Sequence, residues 1–171
     1  MKLENIFSCS RCSLCYTEIN KDKGIPIGWG PGRDILILGL APSDFRGKTK
    51  YAMKPLSDGD TASILMRVVN SFEEMKSKFY VTNIVKCSFP DNVLDHRYLD
   101  ICFNEWLLKE LVTISPKKIV CLGEEVSNFI DSKPFMKYIF DVKKVWHHSY
   151  VARQTSQFDN WRKQWERVIS D

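Results

Sequence analysis

Hydrophobic positions along this chain alternate between two rhythms. Asp34 to Ala41, Phe79 to Val85 and Lys118 to Gly123 are short, mainly apolar runs rich in β-branched residues, the pattern of strands covered on both faces. Between them the apolar residues space out. Ile64, Leu65, Val68, Val69 and Phe72 recur at helical spacing and predict an amphipathic helix from Thr61 to about Met75. Asp95 is placed to cap a longer helix reaching about Thr113, with Leu99, Cys102, Phe103, Trp106 and Leu111 on one inward stripe. A short helix through Val126, Phe129 and Ile130 follows the third strand, and Tyr138 to Trp146 reads as a fourth strand. The last helix begins near Ser156, where Ser156 and Asp159 have capping-box spacing, and buries Phe158, Trp161, Trp165, Val168 and Ile169. Strands alternating with helices predict an α/β fold, a three-layer α/β/α sandwich around a central, mostly parallel four-stranded sheet.

In such a sheet, ligands bind in the crevice outside the carboxyl ends of the strands. Those ends here carry Leu40 to Asp44, Asn83 to Cys87, Gly123 with Glu124, and His147 with His148. The most chemically suggestive residues of the chain are therefore expected along one edge of the sheet. The region holding Gly24, Pro26, Gly28, Gly30, Pro31 and Gly32 is expected to wrap the domain in turns and extended chain.

Composition narrows the class. At 171 residues, 44% of them hydrophobic, the chain is long enough for one well-buried domain and short for two, so residues 1–171 are expected to form one. A formal charge of +4 and a pI near 8.7 are consistent with a polyanionic partner without requiring one. No apolar run approaches the roughly 20 residues of a membrane span, and the polar, cysteine-bearing stretch from Met1 to Asn20 is unlike a signal peptide. A soluble, cytoplasmic monomer with no membrane partner is the expectation. In a reducing compartment, six cysteines read as metal ligands or buried small hydrophobes rather than as disulfides.

Two stretches carry most of the chemistry. Cys9-Ser10-Arg11-Cys12 has the spacing that lets two thiolates close on one metal centre, with Cys15 three residues further on. Asn83 interrupts an apolar run, and a buried amide left without hydrogen bonds costs about 1–3 kcal/mol. Its partners are either backbone groups at the strand end or a bound ligand. Cys87 follows where the strand should be ending, and Cys102 faces the protein from the long helix. Cys121, within an apolar strand, reads as a buried small hydrophobe.

Set in order, these segments resemble the iron–sulfur branches of the uracil-DNA glycosylase superfamily, families 4 and 5, over nearly the whole chain. The resemblance is carried by Cys9, Cys12, Ser13 and Leu14, and by Gly39-Leu40-Ala41-Pro42, which has the family 5 spelling. It continues through Asn83-Ile84-Val85-Lys86-Cys87 with Pro90 and Asn92, then Cys102 followed by Trp106-Leu107 and Glu110-Leu111. Pro116 to Gly123 and His147-His148-Ser149-Tyr150-Val151-Ala152-Arg153 complete it. Each motif alone is modest; six in register are specific. The resemblance implies a [4Fe–4S] cluster on Cys9, Cys12, Cys87 and Cys102, with residues 1–33 as its cluster-binding N-terminal segment and wrapping loop. Zinc in the same four-thiolate site is the alternative, as is Cys15 in place of Cys12.

The activity so implied is DNA base excision, in which the nucleotide is extruded into a pocket and its base read there. Asn83 would face the base edge, beside Gly39 and Ala41, while backbone N–H groups from Ala41 to Asp44 would hold a pyrimidine carbonyl and orient water. His147 would hydrogen-bond the base oxygen that gains charge, and Ser43, His148, Ser149 and Arg153 would contact DNA. Tyr150 and Val151 would wedge into the gap left by the flipped base. His148 stands where the family has proline, so either imidazole is placed to turn inward.

Two departures bear on the substrate. The family 4 acid at the second position of its G-E-A-P motif is Leu40 here, which leaves Asp44, Asp58 and Asp60 as candidates to activate water or as solvated turn residues, with Asp44 foremost. The aromatic that stacks on the base in the family is replaced by Leu56, after Pro55, which forfeits about 1–3 kcal/mol of stacking and leaves room. A bulkier or modified pyrimidine is then the expected base, such as hypermodified cytosine of viral DNA, in repair or antiviral defence. The alternatives are a catalytically weak or inactive DNA-binding module on the same fold, and a redox role for the cluster.

Overall fold

In a computed structural model the described residues are 9–17, 28–42, 61–89 and 93–170. Four parallel strands form one sheet in the order β2-β1-β3-β4, where β1 is Ile35–Gly39, β2 Phe79–Asn83, β3 Lys118–Leu122 and β4 Asp141–Val145. Every residue of β1 and β2 is buried, as the unbroken apolar runs require. Alternate side chains divide between two cores. Leu36, Leu38, Tyr80, Ile119 and Cys121 face one layer of helices, and Ile37, Val81, Val120, Leu122 and Val145 face the other. The first layer is α2 (Arg97–Cys102), α3 (Leu108–Ile114), α4 (Glu124–Asp131) and α5 (Pro134–Ile139); the second is α1 (Thr61–Asn70), α6 (His148–Arg153) and α7 (Phe158–Ser170). This is the expected three-layer α/β/α sandwich. Among the described residues no helix is long and apolar enough to cross a membrane.

The elements differ from the sequence pattern in four places. α1 ends at Asn70, and turns carry the chain from there to β2 while Met75 still reaches the core. β2 stops at Asn83, so Cys87 lies on a bend four residues beyond the strand rather than at its end. The long helix runs through α2 and α3 but is widened between them by a π-helical turn, Phe103–Leu107, and stops where Ser115 turns left-handed (φ 51°) ahead of Pro116. Tyr138 and Ile139 belong to α5, not to a strand, because Pro134 at the first turn starts a helix that the apolar spacing alone did not reveal.

Near its start the described chain packs against β2. Trp29 forms an isolated antiparallel bridge with Val81, its N–H donating to the Val81 carbonyl at 2.9 Å and its carbonyl accepting from Val81 N–H at 2.7 Å. Gly30 makes that approach possible, since a Cβ there would stand 2.2 Å from the Phe79 carbonyl oxygen.

Candidate functional site

The strand order places the polar residues where the sequence predicted. Gly39 pairs in register with Asn83, so the carboxyl ends of β1 and β2 lie side by side, with Ile84 N–H and Val85 N–H donating to the carbonyls of Gly39 and Leu40 at 2.9 and 2.8 Å. On the other flank Gly123, just past β3, donates to the Val145 carbonyl at 2.8 Å and lies against His147. A Cβ at Gly123 would meet the His147 Cβ at 3.1 Å, and its φ of 89° already disfavours other residues. Asn83 and His147 thus bracket the ends of β1 and β3, and Ala41 stands half-buried just beyond β1.

Asn83 is 1% exposed, and among the described residues neither its Oδ1 nor its Nδ2 has a hydrogen-bond partner. The described backbone at the strand end therefore does not satisfy it. An amide buried in that state costs about 1–3 kcal/mol, and it keeps both a donor and an acceptor for something else.

His147 caps α6: its Nδ1 accepts from Ser149 N–H at 3.2 Å and lies 2.7 Å from Ser149 Oγ. With Nδ1 accepting, the neutral ring carries its proton on Nε2, which is left as a donor. Burial first, and the Arg153 charge second, lower the His147 pKa and keep the ring neutral at physiological pH. His148 is 5% exposed and stacks on His147 with ring centroids 4.2 Å apart, its Nδ1 unpartnered among the described residues. Burial and the neighbouring imidazole push its pKa down to about 3. Of the two imidazoles His148 is the buried one, so the expectation that it contacts DNA gives way to a role inside the protein.

The remaining residues of α6 separate by exposure. Tyr150 is 40% exposed and packs edge-on against Trp146, Arg153 is exposed and Ser149 half-buried. Val151 is buried in the core beside Trp161 and cannot act as a wedge. Glu124, the carboxylate that follows Gly123, is exposed and paired with Lys144 at 2.7 Å. Ser43, Asp44, Leu56, Asp58 and Asp60 lie outside the described residues.

Five of the six cysteines gather around Cys87, beyond the end of β2. None of the six is in a disulfide. Cys87 and Cys102 are buried, Cys9, Cys12 and Cys15 are partly so, and Cys121 lies apart within β3. The Cys87 thiol is pushed up by burial and then by the proximity of Cys102, Cys12, Cys9 and Cys15, which puts five sulfurs in one neighbourhood. Burial raises the Cys102 thiol to about 11 against the opposing pull of the nearby Lys86 backbone. Trp106 Nε1 donates to Cys9 Sγ at 3.4 Å. Among the described residues no three of these groups are closed into metal-binding geometry. The donor set is nonetheless all thiol, with an N–H group already aimed at one sulfur. Mutual repulsion is what a positive centre would relieve, since metal ligands must be deprotonated.

Residues 27–168 match the uracil DNA glycosylase superfamily. The chain belongs to that superfamily. It is 27% identical over 137 residues to the type-4 uracil-DNA glycosylase of Archaeoglobus fulgidus, covering 75% of this chain and 61% of that protein. With the type-4 uracil-DNA glycosylase of Sulfurisphaera tokodaii it shares 26% over 149 residues, 86% of this chain and 64% of the relative. The superfamily member thus spans a little under two thirds of the length of these relatives. The crystal structure of wild-type Pedobacter heparinus SMUG2 superposes with a TM-score of 0.57 at 14% identity, over 81% of this chain and 75% of that one, which matches the fold.

One buried polar group beside these strand ends was missed in the sequence. Lys86 and Glu110, 1% and 0% exposed, form a buried ion pair, and Thr82 donates to the Glu110 carboxylate at 3.0 and 3.2 Å. A signal was present: Glu110 falls on the helical stripe that runs through Phe103, Leu107 and Ile114, where a charge needs a partner.

Proposed function

We propose that the chain is a DNA glycosylase that extrudes a uracil-like or modified pyrimidine nucleotide and hydrolyses its glycosidic bond. The observation that carries this reading is the Asn83 amide, buried at the end of β2 with both polar atoms unpartnered among the described residues. A pyrimidine edge offers the acceptor and donor it lacks. His147, across the strand ends, donates from Nε2–H to the base oxygen as the bond between C1′ and the base nitrogen breaks and negative charge moves onto the base. Stabilising charge that develops only in the transition state is the largest contribution such a site makes. Water then delivers hydroxide to C1′ and a proton to the base. Asp44 is the carboxylate proposed to orient that water, Gly39 and Ala41 line the base site, and Ser149, Tyr150 and Arg153 meet the DNA.

Cys9, Cys12, Cys87 and Cys102 would hold a [4Fe–4S] cluster, which supplies structural cross-linking between the N-terminal segment, the turn after β2 and α2. Leu40 and Leu56, in place of an acid and an aromatic, favour a bulkier base than uracil, and excision of such bases fits repair or defence against modified viral DNA. The test is incubation of the protein with duplexes containing uracil, hydroxymethylcytosine or glucosylated hydroxymethylcytosine, followed by cleavage at abasic sites. Strand breaks from at least one duplex, lost in Asn83→Ala, are expected. Binding without any abasic product would replace the enzyme reading with that of a DNA-binding module.

A further inference from the structure

All three ammonium protons of Lys86 have an acceptor: Glu110 Oε2, Thr82 Oγ1 at 2.8 Å and the main-chain carbonyl of Asn83 at 2.7 Å. Cohesion is a weak reason for such a group. Desolvation offsets most of the attraction between two buried charges, and apolar replacements of similar volume are often equally stable. The third contact supplies a better reason. Asn83 closes β2, and among the described residues no polar group aims its side chain. The direction of that amide is left to its packing and its main chain, and the main chain is held at its carbonyl by Lys86.

Lys86 lies against the long helix at two points. Its backbone is close to the Cys102 thiol and its ammonium meets Glu110, eight residues further along the helix. In an undistorted α-helix eight residues overshoot two turns by about 80°. The π turn Phe103–Leu107 lies between the two and takes up that excess, which brings Cys102 and Glu110 to one side.

We infer that Lys86, Glu110 and Thr82 are positioning residues that aim Asn83 at the base, with the π turn setting their reach. The inference rests on the base-reading role proposed for Asn83. Displacement of a reacting or reading group by about 1 Å can lower a rate about 100-fold, so a clamp on this carbonyl acts on rate more than on DNA affinity.

The test is single-turnover excision by the full-length protein from whichever duplex of the panel above it cleaves. Melting temperature and affinity for the abasic product are measured alongside. Lys86→Met alone leaves Glu110 buried and unpaired and should melt early. The double variant Lys86→Met/Glu110→Met should recover the wild-type melting temperature and bind abasic DNA within about twofold of wild type, yet excise about 10- to 100-fold more slowly. Thr82→Val keeps the side-chain shape and the ion pair, and decides the matter should the Lys86 variants not fold. It should lower the melting temperature, because the buried ammonium and carboxylate each lose a partner, yet slow excision about threefold or more when assayed well below that melt, and Thr82→Ser should restore both. Wild-type rates in the double variant or in Thr82→Val would overturn the clamp. Asn83→Ala separates the two readings. If it stays fully active, the base-reading role falls and the clamp with it; if it is inactive while the double variant and Thr82→Val are fast, only the clamp falls.

Discussion

The imidazole of His147 lies on that of His148, centroids 4.2 Å apart and planes 30° from parallel. The outer ring is bonded through Nδ1 to Ser149 and keeps Nε2–H for the site, while the inner one presents to the interior an Nδ1 unpartnered among the described residues. A proton on either ring must repel a proton on the other, so the stack favours two neutral imidazoles.

Stability should therefore depend on pH through His148. Its folded pKa is about 3, against about 6.5 in an unfolded chain. Between those values the unfolded chain holds a proton that the folded chain does not, so stability is complete above about pH 6.5 and is lost as pH falls toward 3, at up to about 1.4 kcal/mol per unit. His147, lowered by burial and by Arg153, acts in the same direction. Thermal melts across this range should slope accordingly, and His148→Phe, which keeps an aromatic ring and removes the titrating nitrogen, should flatten the slope. Identical slopes for the two proteins would contradict the assignment.

Ser149 tests the tautomer. Ser149→Ala removes the hydroxyl 2.7 Å from His147 Nδ1 but leaves the backbone N–H that fixes which nitrogen carries the proton. Excision should slow only about 3- to 10-fold, whereas His147→Ala, which removes the donor to the charged base, should slow it about 100-fold or more. Equal losses in single-turnover assays would place the hydroxyl, rather than the ring, at the reacting atoms.

Iron content should follow the buried thiols. Protein purified without oxygen is expected to be brown with about four iron atoms per chain. Cys87→Ser and Cys102→Ser should lose iron and stability together, while Cys121→Ala, remote within β3, should keep its iron. Cys15→Ala distinguishes the N-terminal ligands: retained iron supports Cys12, and lost iron assigns that place to Cys15.

Two tryptophans of α7 should respond differently to the same change. Both are fully buried, but Trp161 Nε1 donates to the Trp146 carbonyl at 2.8 Å whereas Trp165 Nε1 has no partner among the described residues. Trp161→Phe strands that carbonyl just before His147 and should cost about 1–3 kcal/mol beyond the lost packing. Trp165→Phe removes an unsatisfied donor and should cost less. Denaturant titrations that ranked them the other way would refute this account.

How far the sequence could be read followed from how buried each element is. β1, β2 and β3 are covered on both faces and therefore spelled by continuous apolar runs, and α7 announces itself through Trp161, Trp165 and Val168. β4 is an edge strand with Asp141 and Lys144 exposed, so its pattern is weak, and the neighbouring Tyr138 and Ile139 imitated a strand although Pro134 had begun a helix. Asn83, His147 and the cysteine spacing were legible because each is an unusual residue for its place. The Lys86–Glu110 pair was not, because charged residues are ordinarily solvated and only the fold shows them facing each other. The π turn has no spelling of its own.

The bridge from Trp29 to Val81 also governs how molecules meet in solution. An open strand offers unpaired N–H and carbonyl groups on which a foreign strand can grow. On the β2 side Trp29 occupies the groups of Val81 and Gly32 N–H donates to the Phe79 carbonyl, so that margin is filled by the chain's own backbone. On the β4 side Asp141, Lys143 and Lys144 set charges along the rim. With one margin partly filled and the other lined with charge, the described sheet offers little bare backbone on which a foreign strand could grow.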